Sequence, residues 1–431
     1  MKSLNKILGE KNKNINGIYI SSYVPRKCGI ATYARDLTEA INFINPYSES
    51  EIFAMVEKED KINYGPEVKF KINRNSIESY IKAAKSINKS KADIVVLEHE
   101  FGLFGGEFGS YIINLLKLLE KPLIVTTHTI PDVSTNGYGL VLKEITKYAE
   151  KVIVMMAQSM GKLIKKYNFP AEKIEIIPHG VPDIKLEHNG KYKKAKGLED
   201  RLILGNINLL SEVKGLEYTI EALKYIKEQF PNVLYLIIGQ THPVVLQNEG
   251  EKYRNFLKEK IKLYNLEKNV KFVNEYISLA ELLEWLKIVD IYITPYLDPQ
   301  QSASGALAYA VGAGKVCIST PYLYAREVLS NDRGVIVPFK NSQAIADSVI
   351  DIFKNPEKKS AIEKKTYKYG RLMTWNNVAL SHLELFNEVI NSHKNINFGR
   401  YIWGQDIQGN IDSLMRIKQT PTVTRIYQRV K

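Results

Sequence analysis

The first half of the chain contains short apolar runs separated by amphipathic stretches. The run GIYISSY at residues 17–23 opens the series, and EIFAMV, VKFKI, ADIVVLEH and PLIVTTHT continue it. These runs show little alternation of apolar and polar positions, which is typical of parallel strands covered on both faces. The stretches between them predict helices, the first from about Ala31 to Asn42.

The same alternation of apolar runs and amphipathic stretches starts again after a polar segment at about residues 183–200, which we predict to be a linker. LILGNINLL is the first strand predicted beyond it, and GLEYTIEALKYIKEQF is the helix that follows. The runs VLYLIIG, VKFVNEY, IYITPY, VCIST and GVIVPF supply further strands. The pattern predicts an α/β protein with two doubly wound, Rossmann-like domains that face each other across a cleft.

The length of 431 residues agrees with this division, because one core of ordinary size does not serve so long a chain. We expect a first domain over residues 1–183 and a second over 184–365. Residues 366–395 have the pattern of a kinked helix pair, and residues 396–431 form a basic extension with little periodicity. Ligands of doubly wound sheets bind at the carboxyl ends of the strands, so the loops there are where chemistry is expected.

The composition is that of a globular protein, with 45% hydrophobic and 25% charged residues. No apolar run reaches the roughly 18 residues of a membrane span. The N-terminal MKSLNKILGEKNKN lacks the apolar region of a signal peptide, so we expect a cytoplasmic protein. Cys28 and Cys317 are too few for a disulfide framework or a Cys-based zinc site, and we expect both to be reduced.

The net charge of +13 allows more than one interpretation. A lysine-rich surface is the simplest one. A field that attracts phosphorylated ligands or anionic lipid head groups is the alternative, so weak association with a membrane surface stays open, as does homo-oligomerisation. Nucleic acid binding is not favoured, because the basic residues are not interleaved with aromatic residues on one strand or helix.

Two loops of the second half could bind an anion. The loop LDPQQ leads into SASGALAYAVGAG, where we predict a helix from about Ser302, and small residues at its start would let phosphate oxygens reach the backbone N–H groups. Tight packing of that helix on a sheet would also select small residues. In LLSEVKGLEY, Lys214 precedes a helix and could neutralise a diphosphate as a point charge, or be an ordinary surface lysine.

The first half offers a glycine turn and two polar strand ends. In SSYVPRKCGIATYARDL, Gly29 lies at a strand-to-helix turn without a GxGxxG pattern, which argues against a nicotinamide cofactor. Glu98, His99 and Glu100 end one predicted strand, and His128 ends the next. They are candidates for binding or proton transfer, although a single histidine is more often structural. A metal site from these groups is not favoured, because no pair has helical i, i+4 ligand spacing.

Taken together, these loops resemble a retaining glycosyltransferase with the two-Rossmann GT-B fold, of the family 4 type. The resemblance covers residues from about 15 to 395. It rests on PRKCGIATYARDL, TTHT, IIPHGV, LLSEVKG and SGALAYAVGAGKVCIST, in this order. It implies that the first domain binds the acceptor, that the second binds a nucleotide sugar, and that the C-terminal helices cross back to the first domain.

The resemblance also implies roles for single residues. His128 matches the histidine that reaches the transferred sugar and its phosphate, and Lys214 matches the donor-phosphate lysine. The donor-binding set is Gly29, Leu209, Lys214, Ser302, Ser304, Gly305, Ala306 and Tyr309. The acceptor-side set is Cys28, Glu98, His99 and Glu100.

Three positions depart from the family pattern. Leu209 stands where the family has an arginine, and Gln301 and Tyr309 stand where it has two glutamates eight residues apart. Catalysis is then expected from His128, Lys214 and Gln301, by electrostatic stabilisation of the leaving diphosphate. A front-face mechanism, in which that phosphate deprotonates the acceptor hydroxyl, needs no protein nucleophile. The departures leave a retaining or an inverting outcome open.

We therefore expect a hexosyltransferase that uses a nucleotide diphosphate sugar and a carbohydrate acceptor, with no essential metal or other cofactor. GDP-mannose is the first expected donor, on resemblance alone, which would make the chain a mannosyltransferase. The alternatives are a non-catalytic nucleotide-sugar or glycan-binding protein and a GT-B sugar phosphorylase. No lysine motif for the pyridoxal phosphate of such phosphorylases is present.

Overall fold

A computed structural model describes residues 14–57, 62–187, 190–275 and 277–402, with the backbone alone for 394–402. The predictions for the N-terminal segment 1–13 and for residues 403–431 of the basic extension fall outside the described residues.

The first half folds around a seven-stranded parallel sheet in the order β3-β2-β1-β4-β5-β6-β7. Its strands are β1 (Gly17–Ser21), β2 (Glu51–Val56), β3 (Val68–Asn73), β4 (Ile94–His99), β5 (Leu123–Thr127), β6 (Lys151–Val154) and β7 (Ile174–Ile176). Its helices are α1 (Gly29–Ile44), α2 (Ile77–Lys89), α3 (Ile112–Leu116), α4 (Gly137–Lys147) and α5 (Ala157–Tyr167).

The second half folds around a six-stranded parallel sheet in the order β10-β9-β8-β11-β12-β13. Its strands are β8 (Leu202–Ile207), β9 (Val233–Ile238), β10 (Val270–Val273), β11 (Ile291–Thr294), β12 (Val316–Ser319) and β13 (Val335–Ile336). The remaining helices are α6 (Gly190–Ala195), α7 (Leu216–Gln229), α8 (Pro243–Glu249), α9 (Lys252–Leu263), α10 (Leu279–Ile288), α11 (Gly305–Gly312), α12 (Leu323–Val328), α13 (Ser342–Lys354), α14 (Pro356–Leu372) and α15 (Trp375–Ile402).

The predicted fold class is confirmed, since both sheets are parallel and doubly wound. Every residue of β1, β4, β5 and β9 is buried, which explains why these runs lack alternation in the sequence. The strand order reverses between β1 and β4 in the first sheet and between β8 and β11 in the second. Crevices at the carboxyl ends of the strands form at such switch points, so the fold directs attention to these two places.

The structure corrects two details of the sequence prediction. Part of the predicted linker is helix α6, whose buried Lys193 places its Nζ 2.6 Å from the carboxylate of Asp290 beside the second sheet. The small-residue helix begins at Gly305, three residues later than expected. Ser304 has extended backbone angles and its Oγ accepts from the N–H of Leu307, so it caps the helix and does not belong to its first turn.

The C-terminal helix pair is interrupted at Met373 and Thr374, as the kink in the sequence pattern indicates. Val181 of the segment between the two sheets fills this interruption. Its N–H donates to the carbonyl of Met373 at 2.8 Å, and its carbonyl accepts from the N–H of Trp375 at 2.9 Å. Farther along α15, Glu388 pairs with Lys151 of the first sheet at 2.7 Å. No helix within the described residues combines the length and the apolar character that a membrane crossing requires.

Candidate functional site

The carboxyl ends of the two sheets are in direct contact. The hydroxyl of Ser302, in the loop after β11, donates to the carbonyl of His128, at the end of β5, at 3.0 Å. The loops after β5 and β11, each of which contains predicted site residues, therefore meet at one place. Sequence reasoning assigned these two residues to different halves of the chain, and the structure joins them.

A buried carboxylate orients His128. Nε2 of the imidazole lies 2.8 Å from Oε2 of Glu98, and Thr126 donates to the other carboxylate oxygen. Both partners are buried, and the ring of Tyr33 packs edge-on against His128 at 4.9 Å. Because a carboxylate only accepts, Nε2 carries a proton and Nδ1 is the nitrogen left for a ligand. This arrangement suits hydrogen bonding to a hydroxyl or phosphate.

His99 lies deeper than its neighbours on the strand end. Its ring is fully buried, stacks on Phe104 at 5.6 Å and meets the edge of Phe101 at 4.7 Å. Burial lowers the pKa of His99 to about 3, so the ring is neutral at physiological pH. Glu100 is more open, and its carboxylate accepts from the N–H of Phe101 and from the hydroxyl of Thr129 at 2.7 Å. Of the two, Glu100 is the group that a ligand can reach.

The glycine turn of the first half lies beside open space. Cys28 caps α1, since its Sγ accepts from the N–H of Ala31 and lies 3.1 Å from the hydroxyl of Ser22. A Cβ added at Gly29, the first residue of the helix, would meet no heavy atom within 4 Å. Both cysteines are free, as expected. The start of α1 therefore has room for a ligand.

Lys214 lies on the cleft side of the second sheet, in a short 3₁₀ turn after β8. Its Nζ stands 4.1 Å from the ring centroid of Tyr296, and no carboxylate within the described part of the chain is within ion-pair distance. Burial lowers the pKa of Lys214 to about 8, against a smaller raising effect from Asp298. Gly215 is required behind it, because its φ is +60° and a Cβ would lie 2.3 Å from the carbonyl of Pro295.

Tyr296 connects this lysine to the start of α11. Its hydroxyl lies near the side chain of Ser304, the cap of the helix, and the hydroxyl of Tyr322 lies near that side chain as well. Gly305 and Ala306 remain partly exposed at the first turn. The ammonium group of Lys214 therefore lies over the ring of Tyr296, and the N-terminus of α11 lies near the hydroxyl of the same residue; both attract negative charge.

Three residues stand where the family pattern has charged ones, and each has a defined environment in the structure: Gln301, Leu209 and Tyr309. The amide of Gln301 donates to the carbonyl of Ala303 at 3.0 Å, which folds the loop before the helix. Leu209 is half-buried directly after β8. The hydroxyl of Tyr309 lies 3.4 Å from the carboxylate of Asp36 in α1, so it connects the two halves.

Sequence reasoning missed His179, in the IIPHGV segment between the halves. A Cβ on Gly305 would lie 3.3 Å from Nε2 of His179, so this ring packs against the helix start. Its Nδ1 lies 2.7 Å from the carbonyl of Gly180, and burial lowers the pKa of His179 to about 4. Nε2 is therefore an unprotonated acceptor. The position of this histidine in the IIPHGV motif was the only sequence signal for a functional role.

Sequence reasoning also missed Glu327, in α12. Its carboxylate accepts from the N–H groups of Ala157 at 2.7 Å and of Gln158 at 3.1 Å, in the first turn of α5. Met156, at the cap position, supplies no side-chain hydrogen bond, so a carboxylate from the second half caps a helix of the first half. This contact holds the two halves in their present arrangement.

One cavity lies away from this site. A cavity of about 320 Å³ lies at the opposite edge of the second sheet, where Ala313, Lys287 and Lys315 precede β11 and β12. Within the described ranges, no group of three or more histidine, cysteine or acidic residues could hold a metal ion.

Comparison with known proteins agrees with this geometry. The family model described as Glycosyltransferase Family 4 matches residues 48–183, and the model described as Glycosyl transferases group 1 matches residues 189–369. The Uncharacterized glycosyltransferase MJ1059 of Methanocaldococcus jannaschii is 24% identical over 247 residues. That match covers 53% of this chain and 56% of the relative, about half of its length.

Solved structures share the fold at low sequence identity. Sucrose-phosphate synthase from Thermosynechococcus elongatus superposes with a TM-score of 0.70 at 17% identity, over 88% of this chain and 100% of that one. Anabaena Alr3699/HepE in complex with UDP and glucose superposes with a TM-score of 0.67 at 14% identity, over 87% and 100%. Two family models that match successive parts of the chain, together with this two-sheet fold, confirm the resemblance: the chain belongs to the GT-B glycosyltransferases of the family 4 type.

Proposed function

We propose that this protein transfers a hexose from a nucleotide diphosphate sugar to a carbohydrate acceptor. The observation that carries the proposal is Lys214, a partly buried ammonium with no carboxylate at ion-pair distance within the described residues. A buried cation without a counter-ion is unfavourable, and a bound diphosphate would supply one. The start of α11, near the hydroxyl of Tyr296, would hold the same group through its N–H groups.

The two halves have different roles in the proposed reaction. In the second half, Lys214 and the first turn of α11 stabilise the charge that grows on the leaving diphosphate. In the first half, His128, oriented by Glu98, hydrogen-bonds the transferred sugar. The amide of Gln301, in the loop between β11 and α11 of the second half, can bond a sugar hydroxyl.

A front-face displacement fits these groups. The bond from the anomeric carbon to the phosphate oxygen breaks, and a bond from that carbon to the acceptor oxygen forms. The proton of the acceptor hydroxyl goes to the leaving phosphate, so no protein nucleophile or metal ion enters the step. Closure of the two halves, which Glu327 and Ser302 bridge, would exclude water from the reacting atoms.

The donor is proposed as a hexose nucleotide, with GDP-mannose first. UDP-glucose is the second candidate, because Anabaena HepE, which shares this fold, holds UDP and glucose. The test is nucleotide release from a panel of GDP-, UDP-, ADP- and dTDP-sugars, with and without a mixture of oligosaccharide acceptors. Release that depends on one donor and rises with acceptor is the expected result.

A second function is favoured by one observation. Tyr309 uses its hydroxyl to contact Asp36 between the halves, at a position where the family has a carboxylate. A chain that has lost this carboxylate could bind a nucleotide sugar and not turn it over. Nucleotide binding without release from any donor in the panel would establish this function and contradict the transferase.

A further inference from the structure

Three aromatic rings pack together at the carboxyl edge of the first sheet, next to the candidate site: Phe101 is buried, Phe108 is half-buried and Tyr138 is exposed. Tyr138, in the first turn of α4, is 45% exposed, and the rings of Phe101 and Phe108 meet it edge-on with centroids at 5.0 and 4.8 Å. Phe101 in turn touches His99, whose carbonyl accepts from the N–H of His128 at 3.1 Å. We call Phe101, Phe108 and Tyr138 the aromatic platform, and it is continuous with the site.

The backbone holds this platform in a costly conformation. Phe108 has φ 55° and ψ 22°, a left-handed conformation that few side chains other than asparagine adopt. A Cβ at Gly137, at the start of α4, would lie 2.0 Å from the ring of Phe108, so this glycine is what lets the ring pack there. Two rings fix Tyr138 from the sides, and its exposed part remains available.

Two glutamates lie beside the platform in the sequence. Glu100 and Glu107 each neighbour in sequence a phenylalanine that touches Tyr138. The carboxylate of Glu100 is fixed by the exposed Thr129 at 2.7 Å, and Glu107 is exposed. Carboxylates at this edge disfavour an anionic membrane surface, and they are good acceptors for hydroxyl groups. An aromatic ring with hydroxyl acceptors beside it matches the two sides of a sugar, which has an apolar face and a polar rim.

The geometry points to the aromatic platform as the binding subsite for the acceptor: a neutral sugar ring stacks on Tyr138 while its hydroxyls bond Glu100. This inference rests on the proposed function, because it names where the acceptor of that reaction binds. The rigid ring loses little conformational freedom on binding, so stacking contributes to affinity at small entropic cost. The occupant is uncharged, since a carboxylate or phosphate on the sugar would be repelled by Glu100 and Glu107.

The test compares the full chain with Tyr138→Ala, Tyr138→Phe and Tyr47→Ala on an array of neutral and acidic oligosaccharides. Tyr47 is the matched control, because it is an 83% exposed tyrosine before β2, at the opposite edge of the same sheet. Tyr138→Ala is expected to weaken binding of neutral glycans about tenfold, whereas Tyr138→Phe and Tyr47→Ala retain it. UDP and GDP binding, measured by calorimetry, stays unchanged in all variants.

Array binding needs no turnover, so this test fails or succeeds separately from the transferase assay. Equal glycan binding by Tyr138→Ala and wild type would overturn the inference, as would a wild type that binds no neutral glycan on the array. Loss of binding to phosphatidylglycerol vesicles in Tyr138→Ala, with glycan binding intact, would assign the platform to a membrane and also overturn it. A folding defect in Tyr138→Ala would reduce nucleotide binding as well as glycan binding. Unchanged nucleotide binding by Tyr138→Ala therefore excludes such a defect, and retained glycan binding by Tyr138→Phe shows that the ring is what matters.

Discussion

Lys214 should destabilise the free protein, and its replacement by methionine should therefore increase stability. Burial lowers the pKa of Lys214 from 10.5 to about 8, which corresponds to about 3 kcal/mol of unfavourable free energy in the charged form. The ammonium is only partly buried, and the variant also loses the contact with Tyr296, which is worth about 0.5–2 kcal/mol. A net gain of about 1 kcal/mol at pH 7 is expected for Lys214→Met.

The pH dependence distinguishes this cause from a simple packing effect. The folded protein releases the proton of Lys214 near pH 8, whereas the unfolded chain retains it to about 10.5, so the unfolded state binds more protons in this window. The stability of the wild type therefore rises relative to Lys214→Met as the pH passes from about 8 to about 10.5. The advantage of the variant should shrink between pH 7 and pH 9.5.

Chemical denaturation of the full chain at pH 7 and pH 9.5 measures both effects. The same experiment with 1 mM UDP or GDP should stabilise the wild type and leave Lys214→Met unchanged, because the variant lacks the cation that the diphosphate needs. Lys214→Arg is the control, since it keeps the charge at every pH used. A variant less stable than the wild type at pH 7, or a gain that is the same at both pH values, would contradict an unfavourable charge on Lys214 in the free protein.

Three further predictions follow from single contacts. Ser304→Ala should lower the free energy of unfolding by about 1 kcal/mol and Ser304→Gly by only a few tenths, because glycine is tolerated at a helix cap. Denaturant titration measures both losses, and equal losses would contradict the capping role of Ser304. Glu327→Ala should enlarge the radius of gyration in small-angle scattering and raise the KM for the donor more than it lowers kcat. An unchanged radius of gyration and KM would show that the contact of Glu327 with the start of α5 does not hold the halves together. Glu98→Gln should reduce the transfer rate about tenfold while donor affinity is kept, since it misorients His128; a full rate would remove the orienting role.

The sequence predicts well what depends on neighbouring residues. The runs of β1, β4 and β9 are recognisable because both faces of each strand are covered, and that requires apolar residues at successive positions. The small residues at the start of α11 are equally visible. The sequence predicts a start at about Ser302 instead of Gly305, because the extended backbone angles of Ser304 leave no mark in composition.

The sequence predicts poorly what depends on distant partners. Glu327 caps a helix about 170 residues earlier in the chain, and Tyr309 contacts Asp36 across 273 residues. A glutamate in an ordinary helix and a buried tyrosine carry no signal of such partners. His99 shows the opposite problem, since it has the same strand-end position as functional residues and yet lies in the core.

We expect Lys214 and His128 to act on one donor molecule from the two halves. The most direct measurement is the initial rate of nucleotide release, with acceptor, from the donor that the panel selects, in wild type, Lys214→Met and His128→Ala. We expect each variant to lose about a hundredfold or more in kcat/KM, with Tyr47→Ala at the wild-type rate. Full activity in both Lys214→Met and His128→Ala would contradict the assignment of this site.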